Sequence, residues 1–287
     1  MSRIAWTDET WNPIVGCSHA AYTQPDGAKA AHPGCTHCYA ERTCSRLLPG
    51  FEQVHNVAAV GGHWTKKIVV NPARILKPLE WKTGRRIFVC SLSDLWHPAV
   101  SHADRVLIHA VMLCCPQHTF QDLTKRPGVA ARWLEVNTPQ IVMQQVATDP
   151  RWIDRPVPLL PFRWQGIYHV HRYVSVSDQP TADSLIPLLK KIPGWRRGIS
   201  LEPMLGPVDL KPWIGVVWSE LDHVIIGGES GPGARPCRKE WIDAVVARCD
   251  RARVPCFVKQ LGTVLARECG LPGAGADPAG YPQELMS

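Results

Sequence analysis

Cys35-Thr36-His37-Cys38 is a C-x2-C knuckle, the spacing at which two thiolates can turn toward one metal. Cys17 sits upstream in a second glycine-marked loop, so three thiolates lie close to the start of the chain. Two chemistries follow. Zinc would take a fourth ligand, for which Cys44, His19, His32 and His37 are available nearby. An iron–sulfur cubane can use three cysteines and leave one iron open to a substrate. The other cysteines read differently: Cys90, Cys114, Cys115 and Cys256 lie in apolar runs, and Cys237, Cys249 and Cys269 read as plain thiols. An odd total of eleven cysteines in a chain this large argues against a disulfide framework.

The 287 residues are 45% hydrophobic and 20% charged, which excludes a disordered or collagen-like chain. No apolar run approaches the ~20 residues of a membrane span. Met1-Ser2-Arg3-Ile4-Ala5-Trp6-Thr7-Asp8 lacks the apolar segment of a signal peptide. A soluble, cytoplasmic protein is the expectation. A net charge of +7 reads either as solubility charge or as preparation for a polyanionic partner. Twelve tryptophans could stack on bases, but Trp133 and Trp241 occupy apolar-periodic positions that suit a core. GxxxxGK[ST] and HExxH are both missing from the sequence, so nucleoside triphosphatase and zinc-protease readings have no support.

Short β-branched runs at 13–15, 86–90, 119–123, 173–176, 198–201, 224–226 and 256–258 predict strands. Amphipathic segments at 39–48, 71–81, 101–114, 128–135, 181–191 and 239–252 predict helices, with Ser101 and Thr181 as N-caps. This alternation predicts an α/β fold, a partial (open) (β/α) barrel of about six to seven parallel strands. It would form one domain over 1–265, with insertions at 18–34 and 137–172 and a Gly/Pro-rich, poorly ordered tail over 266–287.

Parallel α/β folds bind ligands beyond the C-terminal ends of their strands. Those positions here are Gly16-Cys17, Ser91-Leu92-Ser93-Asp94, Thr124-Lys125-Arg126-Pro127, Ser175-Val176-Ser177-Asp178-Gln179, Ser200-Leu201-Glu202-Pro203, Gly227-Gly228-Glu229-Ser230-Gly231 and Lys259-Gln260. A polar cluster after every strand predicts a polar site at that end. Lys125 and Arg126 read as substrate-binding cations at its mouth, or as a solvated loop. Lys259 and Gln260 read as substrate contacts, with Lys259 also a partner for Glu202. Gly227 to Gly233 is either a turn needing positive φ or a cradle presenting Glu229. His169-Val170-His171 could bind a metal, but an isolated H-x-H reads as surface decoration.

Several of these segments together resemble a known family. Trp6-Thr7-Asp8, Trp11-Asn12-Pro13, Gly16-Cys17 and Pro33-Gly34-Cys35-Thr36-His37-Cys38-Tyr39-Ala40-Glu41 look like the opening of the phage and prophage three-cysteine-motif family. Ser91-Leu92-Ser93-Asp94-Leu95, Ser200-Leu201-Glu202-Pro203-Met204 and Ile226-Gly227-Gly228-Glu229-Ser230-Gly231 continue the match, and the anchors span 6–262 in order. That family is similar to the radical S-adenosylmethionine (SAM) superfamily. The resemblance implies a [4Fe–4S] cluster on Cys17, Cys35 and Cys38, SAM on its open iron, and a flavodoxin- or ferredoxin-like electron donor.

Cofactor-binding roles then fall to Tyr39 beside adenine, to Ser91, Ser93 and Asp94 at the SAM ammonium, and to Ser175, Ser177 and Asp178 at the ribose. Glu202, Gly227, Gly228 and Glu229 complete that set. Helix-start packing for Tyr39 and turn formation for the Ser and Asp residues are the structural alternatives. Two features depart from the superfamily. Seventeen residues, rather than three, separate Cys17 from Cys35, and Gly-Gly-Glu follows the sixth strand rather than the second. The implied function is reductive SAM cleavage to modify a nucleic-acid or nucleotide substrate. The competing function is a zinc-stabilised, non-catalytic barrel that binds nucleic acid or a partner protein.

Overall fold

In a computed structural model, residues 6–45, 59–153, 155, 160–161, 163–215 and 219–276 are described. The main sheet has seven strands: β1 Glu9–Trp11, β2 Arg86–Val89, β3 Thr119–Thr124, β4 Val170–Val176, β5 Arg196–Leu201, β6 His223–Gly227 and β7 Cys256–Gln260. They neighbour one another in chain order from β1 to β7, which are its two open edges. The chain is therefore an α/β protein with an open, parallel half-barrel sheet, as its strand–helix alternation predicts. Ile87, Phe88 and Val89 are buried in succession, as are Val224, Ile225 and Ile226. Such runs suit strands covered on both faces.

Eight helices accompany the sheet among the described residues: α1 Tyr39–Cys44, α2 Pro72–Ile75, α3 His102–Leu113, α4 Pro127–Val136, α5 Pro139–Val146, α6 Gln179–Lys190, α7 Lys239–Ala252 and α8 Thr263–Glu268. Ser101 caps α3 by accepting from the Asp104 N–H at 3.1 Å. The expected helix over 71–81 is instead α2 followed by a 3-10 turn, Lys77–Glu80. Pro78 accounts for the break, since it brings no N–H to an α ladder. The helix expected over 39–48 is described only as α1, and 46–58 lie outside the described residues.

The chain divides into two compact units. Unit 1 comprises 1–19, 38–172 and 191–196; unit 2 comprises 20–37, 173–190 and 197–287. In unit 1, β1 pairs in parallel with β2 and β2 with β3. In unit 2, β5 to β7 pair in parallel. The 18–34 insertion carries an antiparallel ladder, Ala21–Thr23 against Lys29–Ala31, in unit 2. The 137–172 insertion contains α5, opened by a Thr138 cap and Pro139 in its first turn, where proline is tolerated.

The first strand differs from expectation. Residues 13–15 do not enter the main sheet; Ile14–Val15 pairs antiparallel with Val69–Val70. Pro13 has no N–H for a ladder. Glu9–Trp11 takes the edge instead, held by the Thr7 hydroxyl donating to Arg86 O (2.8 Å) and by Asp8 accepting from Arg86 N (2.8 Å). From 266 onward the chain folds back: Leu261 N donates to Gly275 O and Gly262 N to Ala274 O, at 3.2 and 3.0 Å. Residues 277–287 lie outside the described residues.

Candidate functional site

In unit 1 the two cysteine-bearing segments meet the chain just beyond β2. Gly16, in the positive-φ conformation at 105°, donates to Leu92 O at 3.1 Å. Tyr39 donates its hydroxyl to Ser91 O at 2.7 Å. Cys17 and Cys38, one residue from each anchor, are thus brought to consecutive carbonyls at a strand's C-terminal end. The Ser91 hydroxyl pairs with the Asn12 side chain, and the Ser93 hydroxyl donates to Ile14 O at 2.9 Å. Both serines tie loops together.

Asp94 is buried and fully engaged. Its Oδ1 accepts from the Thr124 hydroxyl (2.8 Å) and Trp96 N (3.0 Å). Its Oδ2 accepts from Arg126 Nη1 (2.8 Å) and Lys125 N (3.3 Å). Lys125 therefore contributes its backbone here. Arg126 turns inward, its side chain only 10% exposed. The same guanidinium reaches Cys17 Sγ at 3.7 Å and Ser18 O at 2.8 Å. Burial works against its charge, yet Asp94 and Cys17 outweigh burial and raise its pKa. Cys44 is buried below this loop; burial first, then Cys38 and Cys17, push its thiol up to about 12.

Unit 2 holds a second constellation. Glu229, 6% exposed, accepts two bonds from the Arg235 guanidinium, at 2.6 Å on Oε1 and 2.9 Å on Oε2. Arg235 N and His37 Nδ1 also lie within hydrogen-bond distance of Oε2, at 2.8 and 3.1 Å. Burial would raise this carboxyl, but the bonds from Arg235 and His37 prevail and hold it below the usual range. Arg235 also donates to Pro33 O at 3.0 Å. The ion pair therefore clamps both flanks of the turn that carries Cys35, at Pro33 and at His37. Arg235 had no role in the sequence reading. Positive φ at Gly231 (96°) and Gly233 (72°) lets the loop fold back so that Arg235 reaches Glu229.

Gly227 and Gly228 are glycines because of close approach. A Cβ on Gly227 would lie 3.2 Å from Glu202 Cγ, and one on Gly228 would overlap Leu261 O. Glu202 is ion-paired with Lys259, and Gln260 Nε2 donates to Gly228 O at 2.8 Å. Asp178 is a turn-former that accepts from Thr181 N at 3.0 Å at the start of α6. The Ser175 hydroxyl donates to Glu202 O at 3.4 Å. The Ser177 hydroxyl is buried with no partner among the described residues.

Three candidate fourth ligands for zinc are otherwise engaged: His19 with Glu41 (3.2 Å), His32 with Ser175 O (3.0 Å) and His37 with Glu229. His169 bonds Met112 O at 2.9 Å, a structural role for that half of the H-x-H pair. None of the eleven cysteines is in a disulfide. Among the described residues, no three His, Cys, Asp or Glu side chains are arranged to hold a metal ion.

A family model described as a protein of unknown function, DUF5131, matches residues 1–274. The chain belongs to the DUF5131 family. No curated protein and no solved structure matches it. The DUF5131 match covers β1 to β7 and both constellations. No helix of this DUF5131 chain, among the described residues, is long and apolar enough to cross a membrane.

Proposed function

We propose that the chain is a radical SAM-type enzyme whose cluster is held by Cys17, Cys35 and Cys38. The observation that carries this reading is the anchoring of Gly16 and Tyr39 to the adjacent carbonyls of Leu92 and Ser91. It brings two of the three cysteine segments to one strand end. The donor type suits the group, since soft thiolates favour iron–sulfur clusters and none of the three cysteines is in a disulfide, but the three side chains are not gathered around one metal position among the described residues. When bound, a [4Fe–4S] cluster with SAM would supply one-electron cleavage of the sulfonium carbon–sulfur bond and a radical that abstracts hydrogen.

The chain's own residues supply placement. Arg126 sets a buried cation beside Cys17, and Asp94 holds that cation in place. The Glu229–Arg235 pair fixes the Cys35 turn from the other side of the sequence. Glu202 lies just beyond β5 and pairs with Lys259, which with Gln260 ends β7, where substrate would contact polar groups. Net charge of +7 favours a nucleic-acid or nucleotide substrate. A flavodoxin- or ferredoxin-like protein is the proposed electron donor.

Anaerobic purification and reconstitution test the reading. The expected result is a brown protein with about four irons per chain and dithionite-dependent release of 5′-deoxyadenosine. Replacing Cys17, Cys35 or Cys38 with Ala should remove the colour. A colourless protein with one tightly bound zinc would instead establish the non-catalytic binding barrel.

A further inference from the structure

Tyr168 and Trp195 form an edge-to-face pair, ring centroids 4.6 Å apart and planes at 76°, and both are exposed, at 60% and 50%. Trp195 is the one exposed tryptophan among the described residues. Trp11, Trp96, Trp133, Trp152 and Trp164 are all buried. Leaving two large aromatic faces in water forgoes their burial, so the pair calls for a ligand. Both residues belong to unit 1 and immediately precede strands, Tyr168 before β4 and Trp195 before β5. They therefore mark the N-terminal ends of these two strands.

The chain flanking them is cationic. Arg163 opens the turn that leads to Tyr168, and Lys191 and Arg196 bracket Trp195. All three are exposed, and none is ion-paired among the described residues. No acidic residue occurs in 163–172 or 190–198; the carboxylates brought to this stretch are Glu220, paired with Lys190, and Asp222, which accepts from Arg197 N, and neither pairs with Arg163, Lys191 or Arg196 among the described residues. Exposed rings interleaved with unpaired cations suit a chain that carries both π-faces and negative charges.

We infer that this rim is a binding surface for single-stranded nucleic acid, with bases packing on Tyr168 and Trp195 and phosphates facing Arg163, Lys191 and Arg196. The inference does not depend on a cluster and is tested without one. The full-length protein would be titrated by fluorescence anisotropy with labelled single-stranded dT and U 15-mers, a 15-base-pair duplex, and polyglutamate. Single strands should bind tightest, with affinity falling as salt rises. Trp195→Ala and Tyr168→Ala should each weaken binding about fivefold or more, the ratio expected for one lost stacking contact. Trp195→Phe should retain most of the affinity. Arg196→Ala should weaken binding of both sequences alike and flatten the salt slope by about one unit.

Because these side chains are exposed, unchanged thermal unfolding of the variants separates lost binding from lost folding. Single-strand affinity that is absent, or indifferent to Trp195 and Tyr168, overturns the inference. So does equal binding of polyglutamate that the same substitutions abolish, which would identify an acidic protein partner.

Discussion

Each oxygen of the Asp94 carboxylate takes two donors, so its charge is spent on structure: it holds Thr124, Trp96, Lys125 N and Arg126 in one arrangement. An ammonium at Asp94 would have to displace one of them. Breaking a buried ion pair from one side leaves an uncompensated charge. Asp94→Asn should therefore cost about 3 kcal/mol of stability, read by urea denaturation. A change below ~0.5 kcal/mol, the size of ordinary surface effects, would show that the pair is solvated in solution. Arg126 illustrates the same point from the cationic side. A residue that reads as a surface anion binder is buried against a carboxylate and a thiol.

At the scale of elements, the loop between β6 and α7 controls the turn carrying Cys35. Glu229 and Arg235 sit six residues apart, yet together they reach His37 and Pro33. Arg235→Ala should loosen that turn without unfolding the sheet, because β5 to β7 retain their ladders. Cys35 is 8% exposed and should be alkylated slowly in the parent protein. In the variant its labelling by iodoacetamide, followed by mass spectrometry, should speed roughly tenfold, the ratio for ~1.4 kcal/mol of lost charged hydrogen bonding. Cys249, 0% exposed, serves as the internal control. Arg235→Lys should behave much like the alanine variant, since an ammonium cannot reproduce the two-pronged contact. Parallel acceleration at Cys249 would point to global loosening and remove the clamp from the account.

For the whole molecule, buried and half-buried histidines set the acid limit. His97, His109, His118 and His169 are all held below their ordinary value of 6.5, in each case chiefly by burial. His109 is the extreme, fully buried among Trp96, Trp133 and Trp164, with Nε2 unpartnered among the described residues and Nδ1 near Arg105 O. A lowered histidine pKa means that the unfolded chain binds the proton first. Stability is then fully present above about pH 6.5 and declines as pH falls below it, by up to ~1.4 kcal/mol per pH unit for each histidine. Urea unfolding between pH 8 and 5 should show that decline, and His109→Phe, which keeps a ring in place, should make it shallower. An unchanged slope in the variant would remove His109 from the acid limit.

What was legible in the sequence was local: seven apolar runs separated by amphipathic ones, each followed by polar residues. Six of those runs became strands of the main sheet near their expected bounds, because a continuous β-branched run such as 224–226 favours extended chain wherever it is covered. The first failed for a local reason that was also visible, Pro13, but its replacement by Glu9–Trp11 depended on Arg86, far along the chain. The three cysteines and the polar strand ends could likewise be read directly from residue type and spacing. Whether a charged side chain faces solvent or a partner could not. Arg126 is spent on Asp94, 32 residues away, and Arg235 on Pro33, 202 residues away. Local sequence sets conformational preference, but the partner of a charge is chosen by whichever distant segment the folded chain brings within about 3 Å. That choice belongs to tertiary structure alone.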